Sequence, residues 1–208
     1  MPKFPEPPAP DVLTQPAESE VRRLPAGSSL WRVYFRAGRH PTAWNELRRF
    51  GPTSARFDHH VEPARVQERG ILYAATQGPT CLAEVFQDSR TIDLHRGEPW
   101  LVEFELVRGI ALLDLTSRWV TRAGASAAID GGPRPRARRW SRVIYEAVPR
   151  LDGLVYRSSM DPQGEAVVLW DRATSALPEH PTTHRALADP TLFDAIFEAA
   201  RALGYLLL

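Results

Sequence analysis

An α+β fold is what this sequence predicts, and two observations carry the prediction. Segments with strand character crowd the middle of the chain. The helix-like segments among them follow no regular strand–helix–strand alternation of the kind that builds a doubly wound parallel sheet. With 208 residues the chain is long enough to bury one sizeable core, and its composition, 43% hydrophobic and 25% charged, is that of an ordinary globular protein. It shows no internal repeat.

Taken in order, the first two dozen residues are rich in proline and acidic groups and have no period. Pro2, Pro5, Pro7, Pro8 and Pro10 donate no backbone hydrogen bond, so residues 1–24 are expected as an extended, flexible arm. Order is expected from Leu30, where Leu-Trp-Arg-Val-Tyr-Phe has the aromatic and β-branched content of a strand. Residues 40–60 mix Pro, Gly, Asn, Arg and aromatics without period and read as a long connection, a kind of segment that is often functional. A short buried strand at 71–75 leads through Gly78-Pro79 into a helix from about 80 to 87, with Pro79 suited to its first turn.

From 100 to 107, Leu101, Glu103 and Glu105 alternate with Val102, Phe104 and Leu106, which is period two and predicts a strand with one wet face. Arg108-Gly109 breaks it, and 110–115 is expected as its hairpin partner. Residues 117–129 and 136–148 look helical, separated by Gly131-Gly132-Pro133, and 154–157 and 166–170 are further strands. Asp189 caps and Pro190 opens a last helix that places Leu192, Ile196, Ala199 and Leu203 on one face. The chain thus divides into the arm, a folded domain over 25–188, and a C-terminal helix over 189–208 packed on that domain.

Composition excludes several functions. A formal net charge of +1 gives no globally basic surface for nucleic acid. The single cysteine, Cys81, makes no internal disulfide, the N-terminus lacks the basic start and apolar run of a signal peptide, and no apolar run approaches the roughly 18 residues of a membrane span. A cytoplasmic location, with no membrane and no direct nucleic-acid partner, follows by default. No Gly-x-Gly-x-x-Gly follows a strand and no Gly-Lys-Ser/Thr loop is present, so dinucleotide-fold and P-loop readings have no support.

Asp58-His59-His60 is a tempting metal cluster. Adjacent histidines in a strand point to opposite faces, however, and no further ligand pattern accompanies them, so no metal is expected and a solvated loop is the better reading. Cys81, in the first turn of a helix, has no histidine nearby to activate it and reads as a packed small residue. The run Arg134, Arg136, Arg138, Arg139, Arg142 has the fork geometry that suits phosphate, but it shares a helix with the apolar face Trp140, Val143, Ile144, Ala147 and reads as a solvated face.

One constellation survives. Arg32 lies in the middle of an apolar strand, where an unpaired buried charge is too costly: it is paired or it faces a ligand. Glu84 lies among Leu82, Ala83, Val85 and Phe86, and Arg56 precedes Phe57 at the end of the long connection. Local reasoning leaves a structural Arg32–Glu84 ion pair, a core role for Tyr73 and a turn role for Ser158 as open alternatives.

At these residues the sequence resembles the RES domain family, named for its Arg, Glu and Ser. Leu-Trp-Arg-Val at Arg32, Ser-Ala-Arg-Phe-Asp at Arg56, and Gly-Ile-Leu-Tyr-Ala-Ala followed by Cys-Leu-Ala-Glu-Val-Phe at Tyr73 and Glu84 match its segments in order. So do Leu-Leu-Asp-Leu-Thr at Asp114, Gly-Leu-Val-Tyr-Arg-Ser at Ser158 and Gly-Glu-Ala-Val-Val-Leu-Trp at Glu165. Three positions depart from the family pattern: Arg157 stands for its usual proline, Glu165 for its usual asparagine, and Val33 follows Arg32 where some members have a tyrosine.

The resemblance implies an ADP-ribosyltransferase-like mixed or antiparallel sheet with flanking helices, and NAD as substrate. NAD would be cleaved between nicotinamide and ribose by hydrolysis, phosphorolysis or ADP-ribosyl transfer. It implies Glu84 stabilising the cationic ribose, Arg32 and Arg56 on the diphosphate, Tyr73 stacking, and Ser158 orienting Glu84 or a ribose hydroxyl. Many family members are toxins paired with an Xre-like helix-turn-helix antitoxin, which is the expected protein partner. A catalytically silent nucleotide- or protein-binding module is the alternative.

Overall fold

Side-chain alternation along the central strands buries both faces of one sheet, and this sets the layering of the chain. The computed structural model describes residues 4–37 and 40–208; Pro2 of the expected arm lies outside them. The elements run Val21–Leu24 (β1), Ser29–Phe35 (β2), Arg48–Gly51 (β3), Arg65–Ala75 (β4), the helix Gly78–Val85 (α1), Thr91–Ile92 (β5), Pro99–Glu105 (β6) and Ile110–Asp114 (β7). The helices Trp119–Arg122 (α2), Ala128–Gly131 (α3) and Arg134–Ala147 (α4) follow, then Gly153–Arg157 (β8), Glu165–Trp170 (β9), Thr183–Ala186 (β10), the helix Phe193–Leu203 (α5) and Leu206–Leu207 (β11).

Among the described residues nine strands form one curled sheet in the order β1-β7-β8-β9-β4-β2-β6-β10, with β3 added on β4. Its pairs are antiparallel except β7 with β8, and a parallel pair β5–β11 stands apart. This is the expected α+β architecture, a mixed and mostly antiparallel sheet with helices on its faces. Inside the curl pack Leu30, Phe104, Leu112, Val167 and Leu169. The opposite faces of β8 and β9 turn Leu154, Tyr156, Val168 and Trp170 toward Trp119 of α2 and Trp140 of α4. Helices α1 and α5 cover β2 and β6 through Leu82, Phe86, Ile196 and Ala199.

Several expectations are corrected. Strand β7 is not the hairpin partner of β6. Pairing runs from β2–β6 through Gly27 N–H to Leu106 C=O and Leu106 N–H to Ser28 C=O into β1–β7, so the two connections bend one long ribbon and carry each half to a different part of the sheet. Arg108-Gly109 marks that bend rather than a hairpin.

The described part of the expected arm, residues 4–24, is packed. Phe4 and Leu13 are buried, Trp140 and Trp119 donate their indole N–H groups to the carbonyls of Pro5 and Thr14, and β1 closes the sheet edge. Residues 117–129 form two short helices rather than one, because Gly124 takes a left-handed φ of +86° between them. Asp189 caps a 3-10 turn, through Thr191 N–H, and that turn leads into α5. A further correction, at His59-His60, belongs to the site.

Candidate active site

The cleft lies where β2 and β4 meet α1, walled by the irregular segment 53–56 and the start of α4, and encloses about 400 Å³. Strand β2 brings Arg32 to it and β4 brings Tyr73. Pro79, in the first turn of α1, starts the helix that carries Glu84 a turn later. Arg56 comes from the segment 53–56, so four of the five residues singled out by sequence line one cavity. The fifth, Ser158, is buried just beyond β8 and touches the cleft through Glu84, its hydroxyl donating to Oε1 at 2.6 Å. Ser158 Oγ also accepts the backbone N–H groups of Met160 and Asp161, at 3.1 and 3.0 Å. The neighbouring Ser159 is exposed.

Among the described residues Arg32 and Glu84 do not form an ion pair with each other. Arg32 Nη1 donates to the carbonyls of Trp44 and Glu46, at 2.9 and 3.2 Å, neutral acceptors that leave its charge uncompensated. Burial pulls its guanidinium down to about 10, still charged at neutral pH. Arg56 Nη1 likewise bonds carbonyls, those of Ile129 and Gly132 at 3.2 and 2.7 Å, and burial lowers it too. Tyr73 donates its hydroxyl to the carbonyl of Arg56 at 2.9 Å, which holds that residue's backbone and leaves the ring to the cleft. Burial raises the Glu84 carboxyl above its ordinary range, while the Ser158 hydroxyl and the guanidiniums of Arg56 and Arg134 pull it back. Among the described residues, then, the Glu84 carboxylate has no salt-bridge cation and the guanidiniums of Arg32 and Arg56 have no salt-bridge carboxylate, and all three line one cavity.

Several lining residues went unseen in the sequence. Arg134, read as part of a solvated face, lines the cleft with Nη2 donating to Gln87 Oε1 at 2.7 Å and lying 3.6 Å from Asp88. The available signal was the Gly131-Gly132-Pro133 break, which places Arg134 at a helix start, where a cation opposes the helix dipole. Most of the remaining run is also bound to its own chain. Arg136 and Arg139 bond Glu6, and Arg142 bonds the carbonyl of His60. Arg48, on β3, lines the cleft as well, and its Nη2 bonds Asp58 at 2.9 Å.

His59 and His60 are fully buried rather than in a solvated loop. His60 Nδ1 lies 2.6 Å from Asp58 Oδ1 and its Nε2 2.9 Å from the carbonyl of Arg69, while His59 packs on Tyr145 and Trp170. The burial of His59 rests on Tyr145 and Trp170, partners distant in sequence that only the fold brings to it. Cys81 is packed as expected: its sulfur accepts Val33 N–H, and burial pushes the thiol up to about 12. Among the described residues no group of three or more His, Cys, Asp or Glu side chains gathers as a metal site, and no helix is long and apolar enough to cross a membrane.

Comparison with known proteins bears on this cleft. The family model described as the RES domain matches residues 29–190, which include all five sequence-selected residues. A chain of the crystal structure of the M. tuberculosis MbcT–MbcA toxin–antitoxin complex has a similar fold. The TM-score is 0.56 at 15% identity, over 86% of this chain and 92% of that one. No curated protein matches the sequence.

Proposed function

This chain belongs to the RES domain family, and we propose that it consumes NAD, breaking the bond between nicotinamide and ribose. The observation that carries this reading is the disposition of charge in the cleft: Glu84, bonded to a hydroxyl rather than to a cation, opposite Arg32 and Arg56, bonded to carbonyls rather than to carboxylates. NAD supplies the complementary pattern. Its diphosphate is anionic and its nicotinamide-bearing ribose turns cationic as the bond breaks.

In this mechanism Arg32 and Arg56 take the diphosphate through forked hydrogen bonds. The ring of Tyr73 offers a face to the nicotinamide or the ribose edge. The bonding pair of the glycosidic bond leaves with nicotinamide, which departs neutral, so no strong general acid is needed. The ribose carbon becomes oxocarbenium-like, as in glycoside cleavage. Glu84, ionised and held by Ser158, stabilises that cation in a poorly hydrated site, where a fixed charge acts more strongly than in water. An oxygen of water, phosphate or a protein side chain then bonds the same carbon.

The toxin reading rests on the fold shared with a chain of a toxin–antitoxin complex. Under it the partner is an Xre-like antitoxin with a terminal segment that enters the cleft, since unrestrained loss of NAD harms the cell that makes the enzyme. Pure protein incubated with NAD, with and without phosphate, tests the enzymatic reading. Free nicotinamide is expected in both cases, and the second product identifies the acceptor. Absence of nicotinamide under every condition rejects the reading.

A further inference from the structure

The cleft wall that carries Arg56 has no regular secondary structure of its own, and besides the bonds of Arg56 and Phe57 already in place it is gathered on one buried carboxylate. Asp58 is fully buried, accepts four hydrogen bonds and meets a His60 ring nitrogen as a fifth polar contact. Its Oδ2 takes Thr53 N–H at 2.7 Å, the Thr53 hydroxyl at 2.9 Å and Arg48 Nη2 at 2.9 Å. Its Oδ1 takes His60 N–H at 3.1 Å and faces His60 Nδ1 at 2.6 Å. The far side of the His60 ring lies 2.9 Å from the carbonyl of Arg69, on β4. One carboxylate therefore joins both ends of the segment 53–60 to β3 and, through His60, to the sheet.

Between those ends Phe57 sits at a φ of +62°, in the left-handed region that a bulky side chain avoids unless its surroundings impose it. That turn sends Phe57 into the core, where its ring meets Tyr156 and its carbonyl accepts the Ser141 hydroxyl at 2.7 Å, and leaves Arg56 in the cleft wall. Burying a carboxylate here is costly and is offset only because its oxygens are fully bonded. A turn that served connection alone needs neither the buried charge nor the strained φ.

We infer that Asp58, with His60 behind it, is a positioning residue that fixes Arg56 and Thr53 in the cleft wall for the diphosphate of the dinucleotide. This rests on the NAD reading for its substrate, but the clamp itself can be tested without it. Asp58→Asn keeps the shape and loses the charge that gathers the donors, so the segment 53–60 loosens and Arg56 keeps only its carbonyl partners and the Tyr73 bond, while Glu84 and Ser158 stay in place. Because Arg56 acts on a group that is charged before and during reaction, the loss falls on ground-state and transition-state binding alike. KM for NAD is expected to rise about tenfold or more, with a smaller change in kcat.

A purely structural role would lower the melting temperature and the fraction of active enzyme and leave KM unchanged. Combining Asp58→Asn with Arg56→Ala separates the two further. If Asp58 acts through Arg56, it adds little to KM once Arg56 is gone, whereas independent effects multiply. Thr53→Val, which removes the hydroxyl's bonds to Asp58 and to Ala55 N–H and keeps the backbone bond to Asp58, is the variant to read if Asp58→Asn does not fold. Its KM is expected to rise severalfold. Faster amide hydrogen exchange at residues 53–57 in either variant, with the sheet unchanged, supports the clamp whether or not NAD is cleaved. Unchanged exchange there, or an unchanged KM in an active variant, overturns it. An inactive wild type with exchange altered as expected overturns only the NAD reading.

Discussion

Replacing Ser158 by alanine removes a single oxygen that serves three partners: the Glu84 carboxylate at 2.6 Å and the amides of Met160 and Asp161 at 3.1 and 3.0 Å. A hydrogen bond to a charged group contributes ~1.5–3 kcal/mol. If the ionised form of Glu84 acts in the transition state, that loss corresponds to a fall of about ten- to a hundredfold in turnover. The two amides lose their acceptor beside a buried position, so stability falls too, by about 2–4 kcal/mol, or roughly 5–10 °C in melting temperature for a chain of this size.

The pH profile is the sharper readout. The hydroxyl is the largest influence opposing the burial that raises Glu84, so its removal lets the carboxyl hold its proton to higher pH. The acid limb of the rate–pH profile should therefore move to higher pH in Ser158→Ala, and Ser159→Ala, at an exposed site, should move nothing. Steady-state rates from pH 4 to 8 on both variants, with melting curves at each pH, decide the matter. Turnover within twofold of wild type and an unmoved acid limb in Ser158→Ala would refute the reasoning.

Arg32→Ala should weaken NAD binding and turnover together, by about 2 kcal/mol or more, or roughly thirtyfold, as read by calorimetric titration and steady-state rates. Leu13→Ala tests whether the N-terminal segment belongs to the core. Its buried side chain predicts a loss of about 2–4 kcal/mol, whereas a free arm predicts no change in melting temperature. Asp130 carries the second pH dependence. Burial raises its carboxyl from 3.8 to about 7, so the folded state holds this proton more tightly than the unfolded chain. The stability this contributes is fully present below about pH 4 and is lost as the pH rises through 7. Asp130→Asn should accordingly melt higher than wild type at pH 8 and show little difference at pH 4; an equal gap at both refutes it.

What could be read from sequence was local. The alternation over Leu101–Leu106 placed a strand within about two residues of β6, Pro79 placed the start of α1, and the apolar face of the last helix packs as expected. Arg32, Arg56, Tyr73 and Glu84 were singled out by charge or position in apolar segments and by the family resemblance, and they meet in one cleft. What escaped was non-local. The partner of β7 is set by how a ribbon bends, and no period in either strand encodes that. Proline-rich composition concealed Phe4 and Leu13, which pack against helices more than 100 residues away in sequence. Asp58 and His60 looked solvated because their partners, Arg48, Thr53 and the Arg69 carbonyl, come together only in the fold.

Glu84→Gln tests the central claim most directly. The amide keeps the shape and an oxygen for the Ser158 hydroxyl and removes the charge that the cationic ribose requires. NAD affinity should change little, since the charge acts on a state that ground-state NAD has not reached, and nicotinamide release should slow by roughly two to three orders of magnitude. The melting temperature at neutral pH should hold or rise. Burial raises the Glu84 pKa in the folded protein, so its ionised form costs stability once the pH exceeds that value, and glutamine removes the cost. A folded Glu84→Gln protein that releases nicotinamide at close to the wild-type rate would contradict the account.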